Sequence, residues 1–143
     1  MKTIKIDRAK HLCDEPGTGH NRWHPDLEPL VEVEPGEEIG FETRDALDGY
    51  LTPDATTQDL LNFSPGVIHP LTGPAAVQGA RPGDLLEVEF LDIMPAAHAL
   101  SVVLPGFGYL NDQFNEPYIV HWTIAEGYAT SEQIPGVRIP GAP

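Results

Sequence analysis

Residues 85–93 read LLEVEFLDI. Apolar side chains fall on one face of this stretch and Glu87 and Glu89 on the other, a two-residue period that predicts a β-strand. Immediately before it stands Arg81-Pro82-Gly83-Asp84. A Pro-Gly pair presets the first φ of a type II turn and then offers a residue free to take positive φ. Glu34-Pro35-Gly36-Glu37 repeats that arrangement between two further predicted strands, Leu30–Val33 and Ile39–Thr43. Met1–Ile6, the run ending at Val77, and Tyr118–Ile124 also read as strands. The 15 Pro and 14 Gly are spread along the 143 residues, which predicts many tight turns and argues against long helices. The expectation is a mostly β chain with short helices.

Two stretches interrupt the strand pattern. Between Asp45 and Gly66, the run Asp54–Leu61 (DATTQDLL) reads as one short helix with Asp54 or Thr56 as N-cap, or as an excursion between strands. Leu104–Pro117 (LPGFGYLNDQFNEP) has the Gly and aromatic content of a structured loop. The closing phrase, Ile134–Pro143, has apolar residues over Val137–Ile139 and no polar tail. It reads as a loop on its way into another element, so residues 1–143 are expected to be the N-terminal portion of a single domain, truncated on the C-terminal side.

The net charge is −14, from 22 acidic and 8 basic residues, and no Lys/Arg cluster offsets it. Such a surface repels phosphate backbones and anionic bilayers, so neither nucleic acid nor a membrane is an expected partner. No stretch approaches the roughly 18 apolar residues of a membrane span. The opening MKTIKIDRAKH lacks the apolar core of a signal peptide. Cys13 is the only cysteine, which leaves no internal disulfide and fits a reducing compartment. A cytoplasmic protein is expected.

Four clusters could carry chemistry. In His20-Asn21-Arg22-Trp23-His24-Pro25-Asp26 two imidazoles stand four residues apart, a spacing that suits a metal on a helix. Pro25 and Gly19 argue for a loop instead, and an exposed polar loop is the plainer reading. Glu42-Thr43-Arg44-Asp45 closes a predicted strand, where carboxylates can bind a hard cation, orient water or act as general base. The commoner outcome is an ion pair between Arg44 and a neighbour. His69 lies in the rigid phrase His69-Pro70-Leu71-Thr72-Gly73-Pro74. A lone His is more often structural than a ligand, but metal sites gather ligands from several elements. The loop Gly106-Phe107-Gly108-Tyr109 offers either a substrate wall or simple packing. No G-x-S-x-G, S-x-x-K, P-loop, GxGxxG, HExxH or paired CxxC occurs.

Five phrases occur in one order: HNRWHPD (20–26), VEVEPGEEIGFETRDALDG (31–49), IHPLTGPAAVQGARPGDLLEVEFLDI (68–93), PGFGYLNDQF (105–114) and ATSEQIPGVRIPG (129–141). Together they resemble the acetamidase/formamidase family, and within it the formamidase branch. The resemblance implies a β-sandwich or barrel-like fold and a cytoplasmic homo-oligomer. It also implies a hydrolase acting on the C–N bond of small linear amides, formamide giving formate and ammonia, with acetamide as a second candidate. In the family a further segment follows the VRIPG phrase, so that segment, on the same or a separate chain, is an expected partner.

Amide hydrolysis requires a polarised carbonyl, an activated water and a proton for the leaving nitrogen. On this resemblance Asp45, Glu42 and His69 are the expected catalytic groups, and Trp23 and Phe107 wall the substrate. His20, His24, Asp45 and His69 are the ligands expected for a divalent ion, zinc or magnesium/calcium, and no organic cofactor is expected. The competing expectation is an inactive fragment, a β module binding a metal or small ligand, or one half of a split amidase. A fragment would expose apolar surface and unpaired strand edges.

Overall fold

Strands of two to eight residues bury little alone, so their pairing decides where the chain folds. A computed structural model describes residues 1–62, 66 and 68–141; Phe63, Ser64, Pro65 and Val67, and the last two residues of the 134–143 phrase, lie outside the described residues. The chain forms two compact units, Met1–Tyr50 with Ser64–Glu87, and Leu51–Phe63 with Val88–Pro143.

The first unit holds β1 (Lys2–Ile4), β2 (Gly19–His20), β3 (Val31–Val33), β4 (Ile39–Phe41), β5 (Leu71–Thr72) and β6 (Ala75–Val77). They pair two by two: β1 with β4 and β3 with β6 in parallel, β2 with β5 antiparallel. Ile4, Ile6 and Val33 form its apolar core. Both Pro-Gly turns form as read, with Gly36 at φ 84° and Gly83 at φ 101°. Glu37 closes the first of them: its Oε2 accepts the Glu34 amide at 3.1 Å and the Lys2 ammonium at 3.0 Å, tying β1 to the β3–β4 turn.

The loop after β4 is organised by a buried guanidinium. The Arg44 side chain is only 4% exposed and donates to Glu15 Oε2 at 2.6 Å, Thr18 Oγ1 at 3.1 Å and the Lys10 carbonyl at 3.4 Å. Its Nε lies 3.5 Å from Asp48 Oδ1. Asp48 is itself 3% exposed; its Oδ2 accepts the Leu12 amide at 2.8 Å, while Oδ1 receives no hydrogen bond. The neighbour pair expected for Arg44 is thus replaced by a longer reach to Glu15 and a one-turn reach to Asp48.

In the second unit α1 (Thr57–Asn62) is followed by β7 (His98–Val103), β8 (Tyr118–Ala125), β9 (Tyr128–Thr130) and β10 (Arg138–Pro140), joined as one antiparallel sheet in the order β10-β9-β8-β7. Glu126 and Gly127, both at positive φ (52° and 75°), make the two-residue β8–β9 hairpin, the backbone that matches strand twist. Ile119, Val120, Trp122 and Leu60 are buried, and the Trp122 indole N–H donates to Ser101 Oγ at 2.9 Å. The helix is shorter than the 54–61 run. Thr56 precedes it, and Asp59 Oδ2 accepts both the Thr56 N–H and O–H at 2.7 Å, a reach back across the first turn.

Leu85–Ile93 corrects the opening expectation. The segment belongs to none of the strands, and its six apolar side chains are 62% to 98% exposed. Alternation encodes which side chains share a face, but a ladder needs a second backbone alongside, and among the described residues none pairs with it.

Arg44→Ala is expected to cost about 3–5 kcal/mol in urea unfolding, because it leaves the Asp48 charge buried and unpaired. Asp59 and Glu37 are both held below the ordinary carboxylate range, chiefly by the amides of Thr56 and Glu34 respectively, with the Thr56 hydroxyl and the Lys2 ammonium next. A depressed folded value means stability present above the unfolded pKa of about 4 and lost as pH falls through the lower folded value. Carbon-detected NMR titration should therefore find each carboxyl ionising at a lower pH than an unperturbed residue of its type.

Candidate active site

Three of the four sequence clusters meet in the first unit. The β2–β5 ladder sets His20 opposite Leu71, bringing the 20–26 loop to the 68–74 turn. Glycine is required at 19, where a Cβ would collide with the Leu71 carbonyl oxygen. Asn21 Nδ2 and an Arg22 guanidinium nitrogen each donate to the Gly66 carbonyl at 3.2 Å. The turn is joined in turn to the end of β4: Thr72 Oγ1 donates to the Glu42 carbonyl at 2.8 Å, and the His69 amide donates to the Ala46 carbonyl at 2.7 Å.

The individual side chains are held differently. Asp45 is exposed, and its two oxygens accept the Leu47 amide at 2.8 Å and the Gly49 amide at 2.7 Å. Glu42 is half-buried, with Oε2 accepting the Ile6 amide at 3.1 Å. His69 is exposed and sits at φ 59°, a left-handed backbone that costs a non-glycine residue about 1–3 kcal/mol. His20 Nδ1 lies 2.9 Å from the Arg22 carbonyl, and its ring meets Trp23 edge-on at 6.2 Å between centroids. His24 Nδ1 accepts the Asp26 amide at 3.2 Å. Trp23 is 87% exposed.

His20, His24 and Arg22, with Leu12, Cys13 and Asp48, line a depression of about 360 Å³, a size suited to a small ligand. Asp48 and Cys13 were not among the expected site residues. The Asp48-Gly49 pair reads as a solvated turn, and only its four-residue spacing from Arg44 hints at a buried partner. Phe107 stands apart, in the second unit, on an apolar groove of about 410 Å³ with Val102, Leu104, Tyr109, Leu110 and Phe114. Among the described residues no three His, Cys, Asp or Glu side chains converge as a metal cage, so His20, His24, Asp45 and His69 do not form one together. No described helix is long and apolar enough to cross a membrane.

The Acetamidase/Formamidase family pattern matches residues 5–143. The chain is 36% identical to a formamidase of Methylophilus methylotrophus, over 99% of this chain and 36% of that one. It is 33% identical to an acetamidase of Mycolicibacterium smegmatis, over 96% of this chain and 37% of that one. Among solved structures it is similar to a gamma lactamase from Delftia acidovorans, with a TM-score of 0.90 and 34% identity over 98% of this chain and 36% of that one. An acetamidase from Bacillus halodurans gives a TM-score of 0.76 at 28% identity. The chain thus spans little more than a third of the length of these relatives, and it belongs to the acetamidase/formamidase family.

Proposed function

We propose that this chain forms part of a hydrolase that splits the C–N bond of small linear amides, formamide to formate and ammonia and acetamide to acetate and ammonia. The observation that carries this reading is the family match across residues 5–143. Relatives called acetamidase, formamidase and gamma lactamase are all named for amide bonds.

The chemistry is assigned to the first unit, where three clusters adjoin. Formamide is small and polar, and the three clusters offer it hydrogen-bonding side chains in His20, Arg22, His24, Glu42, Asp45 and His69. Asp45 is pre-oriented by two backbone amides, and with Glu42 it supplies the carboxylates that take a proton from water or hold a cation. His69, in a left-handed backbone whose amide is tied to the Ala46 carbonyl, supplies the proton that the leaving nitrogen needs, since an imidazole can give or take one near neutral pH. His20 and His24 are the remaining candidates for a proton donor or for ligands to a divalent ion. Trp23 is the candidate substrate wall within this unit. A divalent ion, where bound, would polarise the amide carbonyl.

The exposed Leu85–Ile93 segment favours a second requirement, that the working enzyme includes the rest of the family's length, on the same or a separate chain. A homo-oligomer in the cytoplasm completes the reading.

Ammonia release from formamide and acetamide tests it, measured with this chain joined to the remaining family sequence. His69→Asn keeps a residue tolerant of positive φ, and Asp45→Asn keeps an acceptor in the turn. Each is expected to lower kcat by about 10²–10⁴-fold with an unchanged circular-dichroism spectrum. Undiminished rates in both variants would end the assignment.

A further inference from the structure

The second unit contains a pair of histidines that the proposed chemistry does not use. His98 opens β7 and His121 lies in β8, where it pairs with Leu100 while His98 pairs with Thr123. The two are diagonal neighbours across antiparallel strands. Strand alternation puts both side chains on one face, and both are half-buried.

His98 Nε2 lies 3.3 Å from His121 Nδ1. The rings are tilted by 38° with centroids 5.5 Å apart, so they do not stack. As a hydrogen bond this separation is long, since N–H donors usually reach their acceptors at about 2.9–3.0 Å. As the bite of a chelate it is close to ideal. Two nitrogens each about 2.05 Å from one ion and 3.3 Å apart subtend about 107° at the ion, the tetrahedral angle that zinc adopts.

The far side of His121 supports the same reading. Its Nε2 is 2.9 Å from the Ala55 carbonyl oxygen, and a carbonyl only accepts, so Nε2 carries the proton. The lone pair is then left on Nδ1, facing His98. A backbone carbonyl behind an imidazole is the usual device for fixing tautomer and ring orientation in a metal ligand. The strand itself is anchored at the histidine and two residues before it. Its amide donates to Gln133 Oε1 at 2.8 Å, and Gln133 Nε2 donates to the Ile119 carbonyl at 2.8 Å. His98 needs only to move its proton from Nε2 to Nδ1 to offer a second lone pair.

We propose that His98 and His121 form a two-imidazole site for a borderline divalent transition metal, with Zn²⁺ as the probe ion. Both nitrogens ligate in the neutral form, and water fills the remaining tetrahedral positions. This site is built from second-unit residues, whereas His20, His24 and His69 belong to the first, and it does not depend on the amidase reading.

Long-range ¹H–¹⁵N NMR of the imidazole nitrogens, with zinc chloride titrated into the chain, tests the proposal. The zinc-free spectrum is expected to show His121 protonated on Nε2. Zinc should then shift His98 Nε2 and His121 Nδ1 together to the metal-bound range, and His98→Asn should lose the His121 shift while keeping the folded amide spectrum. Zinc shifts confined to the imidazoles of the first unit would overturn the site. So would a His121 shift that survives His98→Asn, or no shift of either nitrogen at excess zinc.

Discussion

A planar cation with five fixed donors, taken out of water, must find acceptors in one geometry or destabilise the fold. Arg44 meets that requirement by drawing in Glu15, Thr18 and the Lys10 carbonyl from the N-terminal segment and Asp48 from its own loop. A lysine in its place would offer a point charge and could not reach these acceptors at once. The net free energy of such a buried network is modest, because desolvation offsets attraction. Its contribution is positional: it sets the course of the chain from β4 to Gly49. Ala46, in that stretch, receives the His69 amide, which joins the arginine's loop to the His69 turn.

The second unit is held by a different means. Its sheet buries Ile119, Val120 and Trp122, and the indole finds its acceptor in the neighbouring strand. The Ala55 carbonyl, just ahead of the helix, engages His121 from outside the sheet. One unit thus rests on a charged knot with few apolar residues, the other on an apolar strand. Leu85–Ile93, divided between the two at Glu87 and Val88, has six exposed apolar side chains of a kind that folded proteins seldom leave together in water.

The three phrases that adjoin in the first unit could be picked out because each is local. The 20–26 and 68–74 phrases each combine a chemically active residue with a proline, the 42–45 phrase closes a strand, and their approach through β2–β5 and Thr72 joins them. Asp48 escaped notice because a short Asp-Gly pair has the composition of a solvent turn. Its burial depends on Arg44 and on Leu12, which is thirty-six residues away. The His98–His121 approach was hidden for a similar reason. Sequence distance says nothing about register, and only the pairing of β7 with β8 sets the two imidazoles 3.3 Å apart.

Composition and local pattern by themselves determined the β-rich class, the Pro-Gly turns and the strand near 118–124, because each rests on residues adjacent in the chain, while the family was read from the resemblance of five phrases in order along it. They also specified an alternating stretch at 85–93 without being able to say whether it would be paired. Whether a strand exists depends on a second backbone at hydrogen-bonding distance, and whether a carboxylate is buried depends on a cation arriving from elsewhere in the chain. Those are questions of distance in space, and here only the tertiary structure decided them.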